Sequence, residues 1–235
     1  VTALPTTQIS DTPLSGTPLS PTDRSTVRRG AHRARTDRAE LHAVLDAGLV
    51  CHLGIVLGGA PVVLPTGYGR LGDVLYLHGS TGAASLRGAA GDVPVCVTVT
   101  LLDGVVHARS VFHFSMNYRS AVVHGVPRLV TDPDERLARL RAITENIAPG
   151  AWDHARPPNR RELAATTVLA LDLTEASVKV RTGPPVDDDE DVALADGPWA
   201  GVVPVRTTTG PPEPCPLLPE GTPVPPHVSR PGPPA

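Results

Sequence analysis

Three stretches of this chain concentrate side chains that could do chemistry. The first is Pro65-Thr66-Gly67-Tyr68-Gly69-Arg70, where glycines allow a backbone to approach a flat ligand closely. The second, His78-Gly79-Ser80-Thr81, puts hydroxyls and free N–H groups where a strand would feed a helix, a setting suited to phosphate. The third runs from Arg109 through Phe112, His113, Phe114, Met116, Asn117, Tyr118 and Arg119 to Ser120. It holds three of the chain's seven aromatics and its only Met. Singly, each stretch also fits an ordinary structural role: a turn, a helix cap, a strand with a satisfied histidine. Together they supply what a planar, phosphorylated cofactor needs, namely an apolar slot, backbone donors and an anion site.

Other chemistries lack their residues. There is no G-x-S-x-G, H-E-x-x-H, P-loop or strand-borne G-x-G-x-x-G. None of the nine histidines forms an i, i+4 pair. His107 and His113, read on one strand, share a face but stand about 20 Å apart, too far to share a metal. Cys51 and His52 are neighbours that point to opposite faces. Cys51, Cys96 and Cys215 are widely spaced with no C-x-x-C, which argues against a disulfide framework and a zinc ribbon. No metal site is expected.

The elements that must position these residues follow from periodicity. Asp37, with Glu40 three residues on, opens a helix whose Leu41, Val44, Leu45 and Leu49 form one stripe, ended by Gly48. The period then changes to two. Residues 50–57 and 60–66 read as a hairpin around Gly58-Gly59, and 69–73 as a turn into a strand at 74–79. Residues 80–90 suit a short helix capped by Ser or Thr. Residues 93–102 and 105–114 read as a hairpin around Asp103-Gly104, followed by a strand over 118–130 with a glycine break. Asp132-Pro133-Asp134-Glu135 starts a helix with Leu137, Leu140, Ile143 and Ile147 on one face. A short helix at 159–166 and strands at 168–173 and 177–182 close the core, with an extra strand near 199–205. The acidic run 187–191 reads as solvated spacer. About seven hairpin-connected strands and peripheral helices make an α+β protein built on an antiparallel barrel.

Composition bounds the rest. Of 27 prolines, four lie in residues 1–21 and fifteen in 184–235, so the ends cannot be regular structure. The expected organisation is a disordered arm (1–27), one folded domain (28–206) and a Pro-rich tail (207–235). A formal charge of −3 gives no global pull toward nucleic acid or anionic lipid. An arginine cluster (Arg24, Arg28, Arg29, Arg33, Arg35, Arg38) is either a solvated lead-in to the first helix or an anion-binding arm. Nucleic acid is the lesser alternative, because no aromatics are interleaved. No apolar stretch reaches 18 residues and residues 1–27 show no basic segment followed by an apolar one, so the chain reads as cytoplasmic with no membrane partner.

In order, V-C-H-L-G, P-V-V-L-P-T-G-Y, L-Y-L-H-G-S, V-C-V-T-V-T-L-L-D-G and S-M-N-Y-R-S-A-V-V-H-G resemble the pyridoxamine 5′-phosphate oxidase-like, FMN-binding split-barrel superfamily. The closer likeness is to its flavin-nucleotide-binding branch, which includes 5-nitroimidazole-resistance proteins. The resemblance implies a six-stranded antiparallel split β-barrel with a leading helix, and a homodimer with flavin sites between subunits. It implies an FMN-dependent oxidoreductase, with nitroreductase-like action on a small electron-poor molecule as one form of it. Haem binding or degradation, and a non-catalytic ligand-binding role, are the alternatives. One protomer would give Pro65, Thr66, Gly67, Tyr68, His78, Gly79 and Ser80, the other Asn117, Tyr118, Arg119 and Ser120. His78 is the implied catalytic residue and, with His113, the candidate haem ligand. Relatives carry Ser-Arg-Lys or Gly-Arg-Lys as a phosphate clamp where this chain has Ala83-Ala84-Ser85. Arg87, or the arm residues Arg28, Arg29, Arg33 and Arg35, are the expected replacements, with Ser80, Ser85 and Arg87 near the phosphate.

Overall fold

In the computed structural model residues 18–20, 22–90 and 93–228 are described. The disordered arm expected for 1–27 therefore lies largely outside the described residues, as does the tail from 229 on. The part of the arm that is described packs against the domain. Leu19 is buried in the core and its amide donates to the Thr36 carbonyl at 2.8 Å. Arg24 grips Glu175 through both carboxylate oxygens, at 2.7 and 2.6 Å.

After β1 (Ala34–Arg35), Asp37 caps α1 (Arg38–Ala47) by accepting from the Ala39 amide at 2.9 Å. Leu41, Val44 and Leu45 are buried as the stripe requires, while Leu49, beyond the Gly48 cap, is exposed. β2 (Val50–Leu57) and β3 (Ala60–Leu71) pair in register around Gly58 and Gly59, both with positive φ. Opposed residues Leu57 and Ala60 flank this two-residue turn, whose backbone only glycine adopts without strain. β4 (Val74–Ser80) follows a turn at Gly72, then α2 (Ala84–Ala89), which has Ala83 at its cap position and no side-chain cap.

β5 (Val95–His107) departs from expectation. It runs unbroken through Asp103-Gly104, where a one-residue bulge shifts its register against β6 (Ser115–Gly125). The hairpin turn lies further on, in a 3-10 turn at Val111–His113. β7 (Arg128–Leu129), α3 (Pro133–Ile147), α4 (Ala151–His154) and α5 (Arg160–Ala164) complete the helical excursion. Asp132 caps α3, and Asn159 with Glu162 forms a reciprocal capping box on α5. β8 (Thr166–Asp172), β9 (Ala176–Arg181), α6 (Asp189–Val192) and β10 (Gly201–Pro204) follow. β10 is the extra strand expected near 199–205, whereas α6 and a 3-10 turn at Pro226–Val228 put short regular elements in the Pro-rich end where none was expected.

The strands form one antiparallel sheet in the order β1-β9-β6-β5-β2-β3-β4-β8-β7, with β10 added to β5. This is an α+β fold, but the sheet is open at β1 and β7 and holds ten strands, nine along this path and β10 beside β5, not a six-stranded ring. The sheet nonetheless surrounds a single main core. Alternate residues of β2, β5 and β9, such as Leu53, Val97 and Val178, meet Leu75, Leu77, Leu169 and Leu171 around the α1 stripe. A second cluster (Val74, Tyr76, Val130, Ile143, Val168, Ala170) lies on the opposite face of β4 and β8, under α3.

Candidate cofactor-binding site

The first predicted segment lies on β3, and its glycines serve a helix. A Cβ on Gly69 would sit 2.6–2.7 Å from the backbone of Ala142 and Ile143 in α3, and one on Gly67 2.9 Å from the Ile147 side chain. The close approach expected for a ligand is thus made by α3. Tyr68 points the other way, fully buried in the main core, with its hydroxyl donating to the Leu45 carbonyl. Burial, with the Cys51 and Asp46 charges adding, pushes its phenol far above the usual range. Within the protomer its ring has no face to offer a cofactor. Asn146 of α3 stitches the junction, donating to the Gly48 and Tyr68 carbonyls at 3.1 Å each. Pro65 is exposed and Thr66 half-buried.

The second segment ends β4. His78 is half-buried, and its Nδ1 is buried without a hydrogen-bond partner among the described residues. Burial holds its pKa below the ordinary 6.5, so the ring is neutral at pH 7. Gly79 makes room for Leu86: a Cβ there would meet Leu86 Cδ1 at 2.5 Å. Ser80 Oγ accepts from the Gly82 amide at 3.1 Å, and Ser85 is half-buried. Arg87 donates to the Gly82 and Thr81 carbonyls at 2.7 and 3.3 Å. Its guanidinium braces the loop it was expected to arm.

The third segment is split between two faces. Asn117 is buried, donating to the Gly183 carbonyl at 3.1 Å and accepting from Arg181. Arg119 forms a bidentate pair with Asp103 at 3.0 and 2.8 Å, across the bulge. Tyr118 and Ser120 lie on the other, outer face, opposite Leu102 and Thr100 on β5 and opposite Arg181 and Lys179 on β9. In the sheet β6 is separated from β4 by β5, β2 and β3. His78 and Tyr118 therefore lie four strands apart, some 20 Å along the sheet at about 4.8 Å per strand.

The bulge continues the outer face into an aromatic cluster that the hairpin reading missed. His107 lies opposite Gly201 of β10, with its ring 5.3 Å from that of Phe114 and 5.7 Å from that of Trp199. Its ring nitrogens make no hydrogen bond among the described residues. Phe114 and Trp199 beside it, and Leu102, Met116 and Val203 on the same face of the strands, are 43–67% exposed. His113 is elsewhere, on the 3-10 turn, with Nε2 3.1 Å from Asp188. The acidic run is no simple spacer either. Asp187 accepts from the Arg109 amide and guanidinium at 2.8 Å each. Asp188 and Asp191 place carboxylate oxygens within 4.8 Å of each other and of a His113 ring nitrogen. No local spacing signals that contact, because 75 residues separate His113 from Asp188. Among the described residues no helix is long and apolar enough to cross a membrane.

Comparison with known proteins gives the site its family. The chain is similar to the flavocytochrome Anf3 of Azotobacter vinelandii, at 40% identity and a TM-score of 0.83, over 88% of this chain and 95% of that one. It is equally similar to an FAD and haem binding protein of Mycobacterium smegmatis, at 42% identity and a TM-score of 0.80, over 83% and 95%. A Bacteroides thetaiotaomicron protein described as a 5-nitroimidazole antibiotic resistance protein shares the fold, at 21% identity and a TM-score of 0.54, over 63% and 86%. No curated protein matches. The profile of the pyridoxamine 5′-phosphate oxidase family matches residues 37–180, from the cap of α1 to the end of β9, and the chain belongs to that family.

Proposed function

We propose that this protein is a flavin-dependent oxidoreductase that holds FAD together with a haem, in a homodimer whose outer sheet faces meet. The observation that carries this reading is the outer face of β6, β5 and β10. It presents exposed apolar side chains on the same face as a histidine that lies between two aromatic rings with its nitrogens uncommitted. Surfaces of that kind mark partner or ligand sites. The two similar structures at 40% and 42% identity, named for flavin and haem, support both groups.

The residues present fit them. A haem needs an imidazole with a free nitrogen among apolar and aromatic side chains, which His107 offers between Phe114 and Trp199. His113, engaged by Asp188, is the poorer ligand. A flavin needs hydroxyls and an apolar wall, and Thr98, Thr100, Tyr118 and Ser120 share the outer face with Leu102. A bound flavin supplies hydride and electron transfer. The chain's own part is to orient the group, exclude water with the apolar face and, through His78, present a neutral imidazole nitrogen at the end of β4.

A second reading is an FMN-dependent, nitroreductase-like enzyme acting on a small electron-poor substrate. The unpartnered Nδ1 of His78 favours it, since a substrate group could complete that hydrogen bond. The absorption spectrum of the purified protein, with mass spectrometry of what denaturation releases, separates the two. Flavin bands with a Soret band, and released FAD, support the first; FMN alone supports the second. A colourless protein that takes up neither flavin overturns both. Loss of the Soret band in His107→Ala, but not in His113→Ala, assigns the haem ligand.

A further inference from the structure

Beside Tyr118 and Ser120 the outer face ends in positive charge. Arg181 and Lys179 lie on β9 directly opposite those two residues. Arg33, in the 3-10 turn before β1, is brought to the same place. A Cβ on Gly30 would lie 3.6 Å from Lys179 Nζ and 3.7 Å from Arg33 Cδ, so the two side chains flank one gap. Gly30 has φ 66°, a conformation suited to glycine, which keeps that gap open. Lys179, the only lysine in the chain, donates to the Arg29 carbonyl at 2.9 Å and keeps two N–H donors.

Nothing neutralises the group. Among the described residues no carboxylate pairs with Arg33, Lys179 or Arg181. Four of the arginines nearby have acids of their own: Arg24 has Glu175, Arg28 has Asp23, Arg35 has Glu40 and Arg119 has Asp103. Arg181 is 94% buried, held by Asn117 and by the Gly183 and Pro184 carbonyls. Burial, and then the charge of Arg33, bring its pKa below the usual arginine value. Three cations close together without an acid, one of them buried, repel one another, and a bound anion relieves that cost. With no acid present, it is an anion that completes the cluster.

We propose that Arg33, Lys179 and Arg181, with the Tyr118 hydroxyl, form a diphosphate site that takes the pyrophosphate of FAD. The proposal rests on the reading that the chain binds a flavin dinucleotide. It also explains how cofactor phosphate can be held although Ala83-Ala84-Ser85 has no cation and Arg87 braces its own loop. The extra phosphate of FAD, absent from FMN, is what two cations flanking a gap select.

The test uses the full chain and two probes, inorganic pyrophosphate and flavin. Arg33→Ala/Lys179→Met removes two charges on half-exposed side chains, and Lys179→Arg keeps the charge. Pyrophosphate should raise the melting temperature of wild type and Lys179→Arg but not of the double variant. The double variant should lose FAD affinity by about tenfold or more, while FMN affinity changes little. Wild type that takes up neither flavin defeats the flavin reading, and the pyrophosphate arm still decides whether the anion site exists. No response of wild type to pyrophosphate overturns the site. A pyrophosphate response lost in the double variant with FAD affinity unchanged overturns its assignment to FAD and marks a free diphosphate as ligand. Circular dichroism of the double variant shows that the fold survives.

Discussion

Gly69 of β3 lies against the backbone of Ile143 in α3 so closely that a Cβ would stand 2.6 Å from the Ile143 nitrogen. Backbone cannot swing aside as a side chain can, so Gly69→Ala must lift α3 from the sheet. That would cost about 1–3 kcal/mol as overpacking. It would also disturb Asn146, which ties α3 to the Gly48 and Tyr68 carbonyls. Chemical denaturation should show a lower midpoint, whereas Gly210→Ala, in open space, should stay within about 0.5 kcal/mol of wild type. Equal stability of the two variants would mean that the helix does not rest on Gly69.

The same glycine shows where sequence reading stops. A glycine in a strand signals that something approaches closely, and the signal was right, but whether ligand or helix approaches depends on tertiary contacts. Gly58-Gly59 was legible because turn and flanking register are local. Asp103-Gly104 has the same turn chemistry and was misread. There Gly104 faces β10, where a Cβ would meet Val202 Cγ1 at 2.9 Å and the Val203 carbonyl at 3.2 Å. Pairing of β5 with β6 and β10 outweighs the local turn preference. The bulge also moved His107 and His113 onto different elements, which voids the one-strand distance between them. The capping signals at Asp37 and Asp132 were legible, since each satisfies its own helix end. The Arg24–Glu175 and His113–Asp188 contacts join residues 151 and 75 apart, beyond any local signal.

The arm's attachment should depend on acid. Arg24, donating to both oxygens, with the Thr22 hydroxyl adding a hydrogen bond, holds the Glu175 carboxyl down to about 2, from an ordinary 4.5. A depressed folded pKa means that the contribution is full above about 4.5 and is lost as pH falls toward 2. Hydrogen exchange at the Leu19 amide, which donates to Thr36, reports the docking. Protection should hold at pH 6, fall below pH 4, and be weakened at both in Arg24→Met. Protection in Arg24→Met equal to wild type at pH 6 would show that Leu19 alone holds the arm.

His78 titrates in the opposite sense to a histidine that gains an acid partner. Burial lowers its pKa below 6.5, so folding favours the neutral ring. Stability from that ring is full above pH 6.5 and declines as pH falls below it toward the folded pKa. His78→Leu removes a buried nitrogen that has no partner and should flatten this part of the pH–stability profile without loss of stability at pH 7. Cofactor or substrate affinity is the separate readout. A stable His78→Leu protein with unchanged flavin spectrum and unchanged turnover removes His78 from the site.

The outer face makes the strongest demand on assembly. If two copies meet there, a carboxylate at Met116, which is half exposed in the protomer, is buried twice in a two-fold interface. An unpaired carboxylate out of water costs several kcal/mol, so Met116→Glu should weaken dimerisation about 100-fold or more. Sedimentation velocity should then find monomers at concentrations where wild type is dimeric, with a melting curve still showing a folded chain. Flavin occupancy should fall with the dimer, because the proposed flavin site lies where the two outer faces meet. A variant that stays dimeric with full flavin content would place the interface on another surface and leave this apolar face to the haem alone.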